Sequence, residues 1–247
     1  MATDPGFIRP DWPAPAGVEA LSTTRAGGVS SGVYASLNLG DHVGDDPSAV
    51  IANRRLVASV VPGTPVWLEQ IHGCEVAEID RAGTIPPIDA AVCRTPGKAC
   101  VIMTADCLPV LFCDRFGTVV GAAHAGWRGL LAGVLENTVT AMGVPPAHIL
   151  AWFGPAIGPS AFEVGEEVRA AFVSRNAAAA SAFVANERGR WLADLYLLAR
   201  QRLAACGVVD VSGGDRCTFS EPDCFFSYRR DGRTGRMATM VWLTDKR

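Results

Sequence analysis

The chain has 247 residues, 49% of them hydrophobic and 19% charged, with a formal net charge of −3. That composition is globular, not disordered or fibrous, and the small acidic balance argues against general nucleic-acid binding. No apolar run is long enough to span a bilayer, and Met1-Ala2-Thr3-Asp4-Pro5-Gly6 is not a basic-then-apolar leader, so a cytoplasmic protein is expected.

A first strand is expected to end at Leu21-Ser22-Thr23-Thr24, after which Arg25 to Asp46 is glycine-rich and turn-prone. Asp46-Pro47 reads as a helix start with proline in its first position, the helix running to about Val61. Strand-like segments follow at Val66 to Glu69, Val76 to Ile79, Ala90 to Cys93, Ala99 to Met103, Val110 to Cys113 and Val119 to Ala123. Beyond Trp127, apolar residues recur at helical spacing from Leu130 to Met142, where Gly143 and Pro145 end the run. A strand at Ile149 to Phe153 leads into a rigid loop from Gly154 to Pro159. Helices near Glu166 to Val173 and Leu192 to Cys206, and a last strand from Ala238 to Leu243, complete the series. The tract Ala177 to Ala180 belongs to a helix or a helix connection. Strands and helices without regular alternation give an α+β class, mixed sheets flanked by helices. No linker-like stretch divides 1–247, so one domain is expected.

Eight cysteines occur (Cys74, Cys93, Cys100, Cys107, Cys113, Cys206, Cys217, Cys224), with no Cys-x-x-Cys pair. That excludes zinc ribbons, thioredoxin-like motifs and the zinc nucleobase-deaminase signature. Most should be buried thiols that pack as small hydrophobes. Cys107 is the exception, because three short segments each carry one metal-ligand type: Gln70-Ile71-His72-Gly73, Thr104-Ala105-Asp106-Cys107 and His124-Ala125-Gly126-Trp127. Two imidazoles and one thiolate leave a tetrahedral zinc ion an open fourth position, the mark of a catalytic site. A hairpin centred on Asp114-Arg115-Phe116-Gly117 would pair 113 with 118 and 107 with 124, bringing Cys107 to His124. Pro109 cannot donate to the ladder, so regular pairing could stop short of Cys107. Nothing local places His72 beside that pair.

These segments, with Thr23 to Ser30, Ser36-Leu37-Asn38-Leu39-Gly40, His124 to Gly129, Phe225 to Gly232 and Thr234 to Ala238, resemble the YfiH-type family. That family is known as the laccase-domain or multicopper polyphenol oxidase family, and also as a family of purine nucleoside phosphorylases. The similarity runs in order along nearly the whole chain. It implies a layered α/β/β/α domain in which His72, Cys107 and His124 bind zinc and act in catalysis. It also implies phosphorolysis of adenosine, inosine and methylthioadenosine, with accompanying adenosine deamination. Some relatives are described as peptidoglycan editing factors.

A true laccase is excluded by counting, since four histidines with no His-x-His pair cannot build a trinuclear copper cluster. Copper could still enter the one site and give weak polyphenol oxidation. For phosphorolysis the partners are a purine nucleoside and phosphate. Arg25 is the first candidate to hold phosphate, followed by Arg229 and Arg230, because guanidinium donors form a planar fork. Gln70 and Asn38 could bind ribose hydroxyls or base edges, or brace their loops. Asp106 could orient a ligand or fill a turn, and Trp127 is expected in the core. Two rivals stay open: a metal-free cysteine hydrolase acting on cell-wall precursors, with Cys107 as nucleophile and His124 as base, and a metal- or partner-binding module without turnover.

Overall fold

The computed structural model describes residues 6–80 and 83–245. Its strands are β1 (Val18–Ser22), β2 (Thr64–Trp67), β3 (Val76–Glu78), β4 (Ala90–Cys93), β5 (Lys98–Thr104), β6 (Leu108–Asp114), β7 (Val120–Ala125), β8 (Ile149–Phe153), β9 (Glu163–Val164), β10 (Phe183–Ala185), β11 (Trp191–Ala193), β12 (Asp210–Gly213) and β13 (Met237–Leu243). The helices are α1 (Pro47–Ala58), α2 (Trp127–Ala132), α3 (Val134–Met142), α4 (Glu166–Arg175), α5 (Leu195–Ala205) and α6 (Tyr228–Asp231).

Two mixed sheets form the middle of the molecule. One has the order β1-β13-β5-β2 and the other β12-β8-β6-β7-β4-β3, while β10-β11-β9 make a small third sheet. Side-chain alternation shows how they stack, because neighbouring residues of a strand face opposite ways. In β5, Cys100 and Ile102 join Leu111 and Cys113 of β6 in an apolar layer between the sheets. Their neighbours Ala99 and Val101 face outward, into a cluster with Val57 of α1. In β6, Leu108, Val110 and Phe112 face the other way, onto Leu135 and Val139 of α3 and Leu198 and Leu203 of α5. The order of layers is therefore α, β, β, α, an α+β fold with mixed sheets flanked by helices.

Local chemistry explains where the element boundaries depart from the sequence expectation. Asp46 caps α1 by accepting from the Ser48 amide at 2.9 Å, as its Asp-Pro start suggests, but the helix ends at Ala58, short of Val61. The run from Leu130 to Met142 is two helices, since Gly133 takes a left-handed φ of 110° and separates α2 from α3. Of the stretch expected to be helical from Leu192, the first residues pair as β11, and Asp194 caps α5 through the Leu197 amide. The tract at Ala177 forms part of a 3₁₀ helix, Ala177–Ala182.

The hairpin of β6 and β7 has a register that differs by two residues from the simplest reading. Cys113 pairs with Val120, and Pro109 with His124. The cause is Asp114, whose wholly buried carboxylate accepts from the amides of Phe116, Thr118 and Val119 and from the Thr118 hydroxyl. Burial pushes this carboxyl up, and those bonds outweigh it, leaving it below its usual value. The captured loop makes the turn longer than a two-residue connection. A shift of two preserves the face of every side chain, so Cys107, just outside β6, stays on the same side as His124.

Candidate metal centre

The site lies at one end of the two-sheet stack, where the loops after β2 and β5 meet the end of β7. The ligand-type atoms of His72, Cys107 and His124 all lie within 4.8 Å of one another. The two imidazole rings sit 4.8 Å apart, edge to face. His124 is buried, Cys107 half-buried and His72 exposed, so the group is closed behind and open in front.

Asp89, which the sequence analysis did not single out, holds this arrangement together. The pairing of β4 with β7 matches Ala90 to Ala123, and one step further along Asp89 faces His124. The Asp89 carbonyl accepts from the His124 amide at 2.7 Å, and Asp89 Oδ1 lies 2.7 Å from His124 Nδ1. That contact directs the other ring nitrogen, Nε2, toward the ligand group. The same carboxylate accepts from three successive amides, Ile71 at 3.0 Å, His72 at 2.9 Å and Gly73 at 2.6 Å. His72 thereby adopts a φ of 62°, a left-handed conformation that costs an ordinary residue about 1–2 kcal/mol. Amide bonds to a charged acceptor are worth about 1.5–3 kcal/mol each, so the grip of Asp89 wins. Gly126 gives the clearance the cluster needs: a Cβ there would lie 2.9 Å from Cys107 Sγ and 3.2 Å from His72 Cδ2.

The electrostatics fit a metal. Burial alone would raise the Cys107 thiol, but the charge of His124 and hydrogen bonds from His124 and His72 bring it down to about 6. Burial would lower His124, but the Cys107 thiolate and Asp89 raise it to about 9. Burial likewise pushes Asp89 up, and His124 with the Gly73 and Ile71 amides brings it below its usual value. The donor set is one soft thiolate and two imidazoles, one of them braced by a carboxylate, which suits zinc or copper.

In front of the group is a cavity of about 530 Å³, within the range of small-molecule sites. Trp127, Phe162 and Tyr228 supply aromatic surface on its wall, and Arg128, Arg229 and Arg236 supply charge. The one carboxylate on that wall is Asp106, already bonded to the Thr218 hydroxyl and the Arg229 amide, both at 2.6 Å. No carboxylate forms an ion pair with any of those three arginines among the described residues. Trp127 is half-buried, and it both packs on the core and lines the cavity.

The other residues named from sequence fall in different places. Arg25 is a loop brace: its guanidinium donates to the carbonyls of Ala35 and Pro222 and lies over Phe226, and it does not line the cavity. Arg230 donates to the carbonyls of Thr218, Phe219 and Phe225 and pairs with Asp231, so it too is bound up in its own loop. Asn38 is wholly buried behind the cavity wall, its amide bonded to Gly40, Asp45 and the Arg236 amide. Gln70 lines the cavity, yet both ends of its side chain bind the Met103 backbone. Arg229 lines the cavity, with its Nη1 donating to the Glu163 carbonyl at 2.8 Å. Arg236, not singled out from sequence, also lines the cavity: half-buried, donating from Nη1 to the carbonyls of Thr234 and Gly235, and facing the charges of Cys107 and Asp106. Of the remaining cysteines, Cys93, Cys100 and Cys113 are buried, whereas Cys74, Cys206, Cys217 and Cys224 are half-buried, more open than expected.

The comparisons agree with one another. Residues 19–244 match the family model described as multi-copper polyphenol oxidoreductase laccase. A purine nucleoside phosphorylase of Pseudomonas aeruginosa is 58% identical over 97% of this chain and 99% of its own length. The purine nucleoside phosphorylase YfiH of Escherichia coli is 56% identical over 96% of this chain and 98% of its own. Among solved structures, a Neisseria meningitidis protein superposes with a TM-score of 0.94 at 56% identity, covering 96% of this chain and 98% of its own. YlmD of Geobacillus stearothermophilus gives 0.88 at 32% identity, covering 99% and 98%.

Two predictions follow from this geometry. Asp89→Asn places an amide NH₂ where one carboxylate oxygen accepts hydrogen bonds, so metal affinity should fall about 10–100-fold, read by competition with a chromogenic chelator. Between pH 6 and 9 the metal-free pair is thiolate and imidazolium, whereas a metal needs thiolate and neutral imidazole. Binding should therefore release a proton from His124, and apparent affinity should rise about tenfold per pH unit across that window. Calorimetry in buffers of different ionisation enthalpy checks the count.

Proposed function

The chain belongs to the multi-copper polyphenol oxidoreductase laccase family, the YfiH type, and on that premise we propose that it is a metal-dependent purine nucleoside phosphorylase. It converts adenosine, inosine and methylthioadenosine to free base and sugar 1-phosphate, and it deaminates adenosine alongside. The observation that carries this reading is the pairing of an open His-Cys-His group with a cavity whose wall holds three arginines and a single, already bonded carboxylate. Such a wall favours an anion, and its aromatic surface suits a purine.

His72, Cys107 and His124 would hold the metal, with Asp89 fixing the His124 imidazole. Zinc, when bound there, supplies Lewis-acid chemistry at its open position. Arg236 takes the phosphate and presents it to C1′ of the ribose, with Arg229 and Arg128 nearer the mouth. A guanidinium suits that task because its donors match phosphate oxygens in pairs. Gln70 and Asn38 act indirectly, Gln70 by fixing Met103 and Asn38 by fixing the backbone of Arg236. Copper in the same ligand group accounts for polyphenol oxidation as a side activity. Of the other two histidines, His148 packs on Phe116 at the far end of the hairpin, whereas His42 lines the cavity beside Asp41.

A second reading has its own observation behind it. Asp89, His124 and Cys107 also stand in the order of a cysteine nucleophile, its base and the base's orienting carboxylate. A hydrolase of that kind acts without metal, and His72 then has no part in the chemistry.

Metal-assayed protein given inosine and phosphate should release hypoxanthine and ribose 1-phosphate, detected by chromatography. His72→Ala, Cys107→Ala and His124→Ala should each lower both metal content and this turnover, while Cys74→Ala changes neither. Protein that holds no metal, alkylates rapidly at Cys107 and releases no base from inosine and phosphate would favour the hydrolase. For phosphate, Arg236→Ala should raise its KM about tenfold or more, as expected for loss of a charge-assisted pair. Arg25→Ala should instead act on stability and leave that KM unchanged, as steady-state titrations of phosphate will show.

A further inference from the structure

The cavity wall carries two proton-bearing side chains to which the mechanism above gives no proton to move, His42 and Tyr228. His42 lies on the same wall as the ligand group and Arg236. Its loop is tied to Arg236 through the backbone, since the Leu39 amide donates to the Arg236 carbonyl at 3.1 Å. His42 Nδ1 lies 3.4 Å from the Asp41 carboxylate, and the other oxygen of Asp41 pairs with Arg54 at 3.2 Å. Arg54 is itself fixed, stacked 4.3 Å over Trp67 and donating to the Leu39 carbonyl. An imidazole beside an anchored carboxylate is the usual form of an oriented proton donor.

We propose that His42, steadied by Asp41 and Arg54 on the cavity wall, gives a proton to the departing purine as the glycosidic bond breaks. This rests on the phosphorylase reading. When the bond between C1′ and N9 breaks, its electron pair enters the purine ring, and a proton delivered to N7 neutralises the leaving base. The new bond to C1′ is made by an oxygen of the hydrogen phosphate dianion, whose proton then restores His42. Nucleoside and hydrogen phosphate become base and sugar 1-phosphate, with the imidazole unchanged over the cycle. Exclusion supports the assignment. His72, Cys107 and His124 form the ligand group, Asp106 is committed to Thr218 and Arg229, and neither phenols nor guanidinium groups give up protons as readily near neutrality as an imidazolium does.

The test compares two substrates on the metal-loaded chain. Inosine needs a proton at N7 to leave as a neutral base, whereas 7-methylinosine carries a fixed positive charge there and needs none. His42→Ala and His42→Gln should lower kcat/KM for inosine by about 10²-fold or more, the usual contribution of a general acid. The loss with 7-methylinosine should stay within about threefold on the same scale, and metal content should match wild type. Equal losses on both substrates would make His42 a structural residue, and no loss on inosine would remove it from the chemistry. A wild-type protein inert to both nucleosides would overturn the phosphorylase reading itself, and this role with it.

Discussion

The whole site depends on one buried carboxylate. Asp89 is fully enclosed, and an unpaired charge there would destabilise the fold by several kcal/mol. Four donors remove that penalty: three consecutive amides of the loop after β2, and the ring of His124. Each donor is also a positional constraint. The amides set the loop that carries His72, and the ring contact fixes which nitrogen of His124 faces the cavity. Cys107 arrives from a third direction, on the loop between β5 and β6, which its neighbour Asp106 ties down. Asp106, beside it, is tied to Thr218 and Arg229, and its carbonyl receives the Ile157 amide.

Ligand chemistry was legible in the sequence because it is a property of residue type and immediate surroundings. Histidine and cysteine in small-residue loops stand out without any knowledge of the fold. The brace was not legible, because Asp89 acts on residues 17 and 35 positions away, across a strand pairing that composition does not display. A single acid within the apolar run Ile88-Asp89-Ala90-Ala91-Val92 was the available signal. The hairpin register was likewise decided by a side chain, Asp114, and not by the turn residues used to place it. Arginines were the hardest to sort. Arg25 sits in a loop rich in glycine and looks exposed in sequence, yet its charge is absorbed by two carbonyls from distant segments. Arg236 looks no different from its neighbours, and only its placement opposite Cys107 and Asp106 sets it apart.

The strand pattern was read more successfully, for a physical reason. Strands buried on both faces are continuous apolar runs, and β5, β6, β7 and β13 are all of that kind. The short strands β9 to β12 escaped notice because three or fewer paired residues, or a polar edge such as Asp210–Gly213, carry too little pattern. The site is built at the ends of the long strands, where regular pairing gives way to loops. Rigid sheets thus position residues whose own backbones are irregular, as the positive φ of both His72 and Asp106 shows.

The four-stranded sheet carries a consequence for how the molecule is made. β13 lies between β1 and β5, so the second described strand in space is the last in sequence. Until that segment joins, β1 lacks its ladder partner, and the outward faces of β5 and α1 lack Met240 and Trp242 to close over them. Pairings this distant in sequence form slowly, so the four-stranded sheet is the last part of the fold to close and its apolar face the last to be covered.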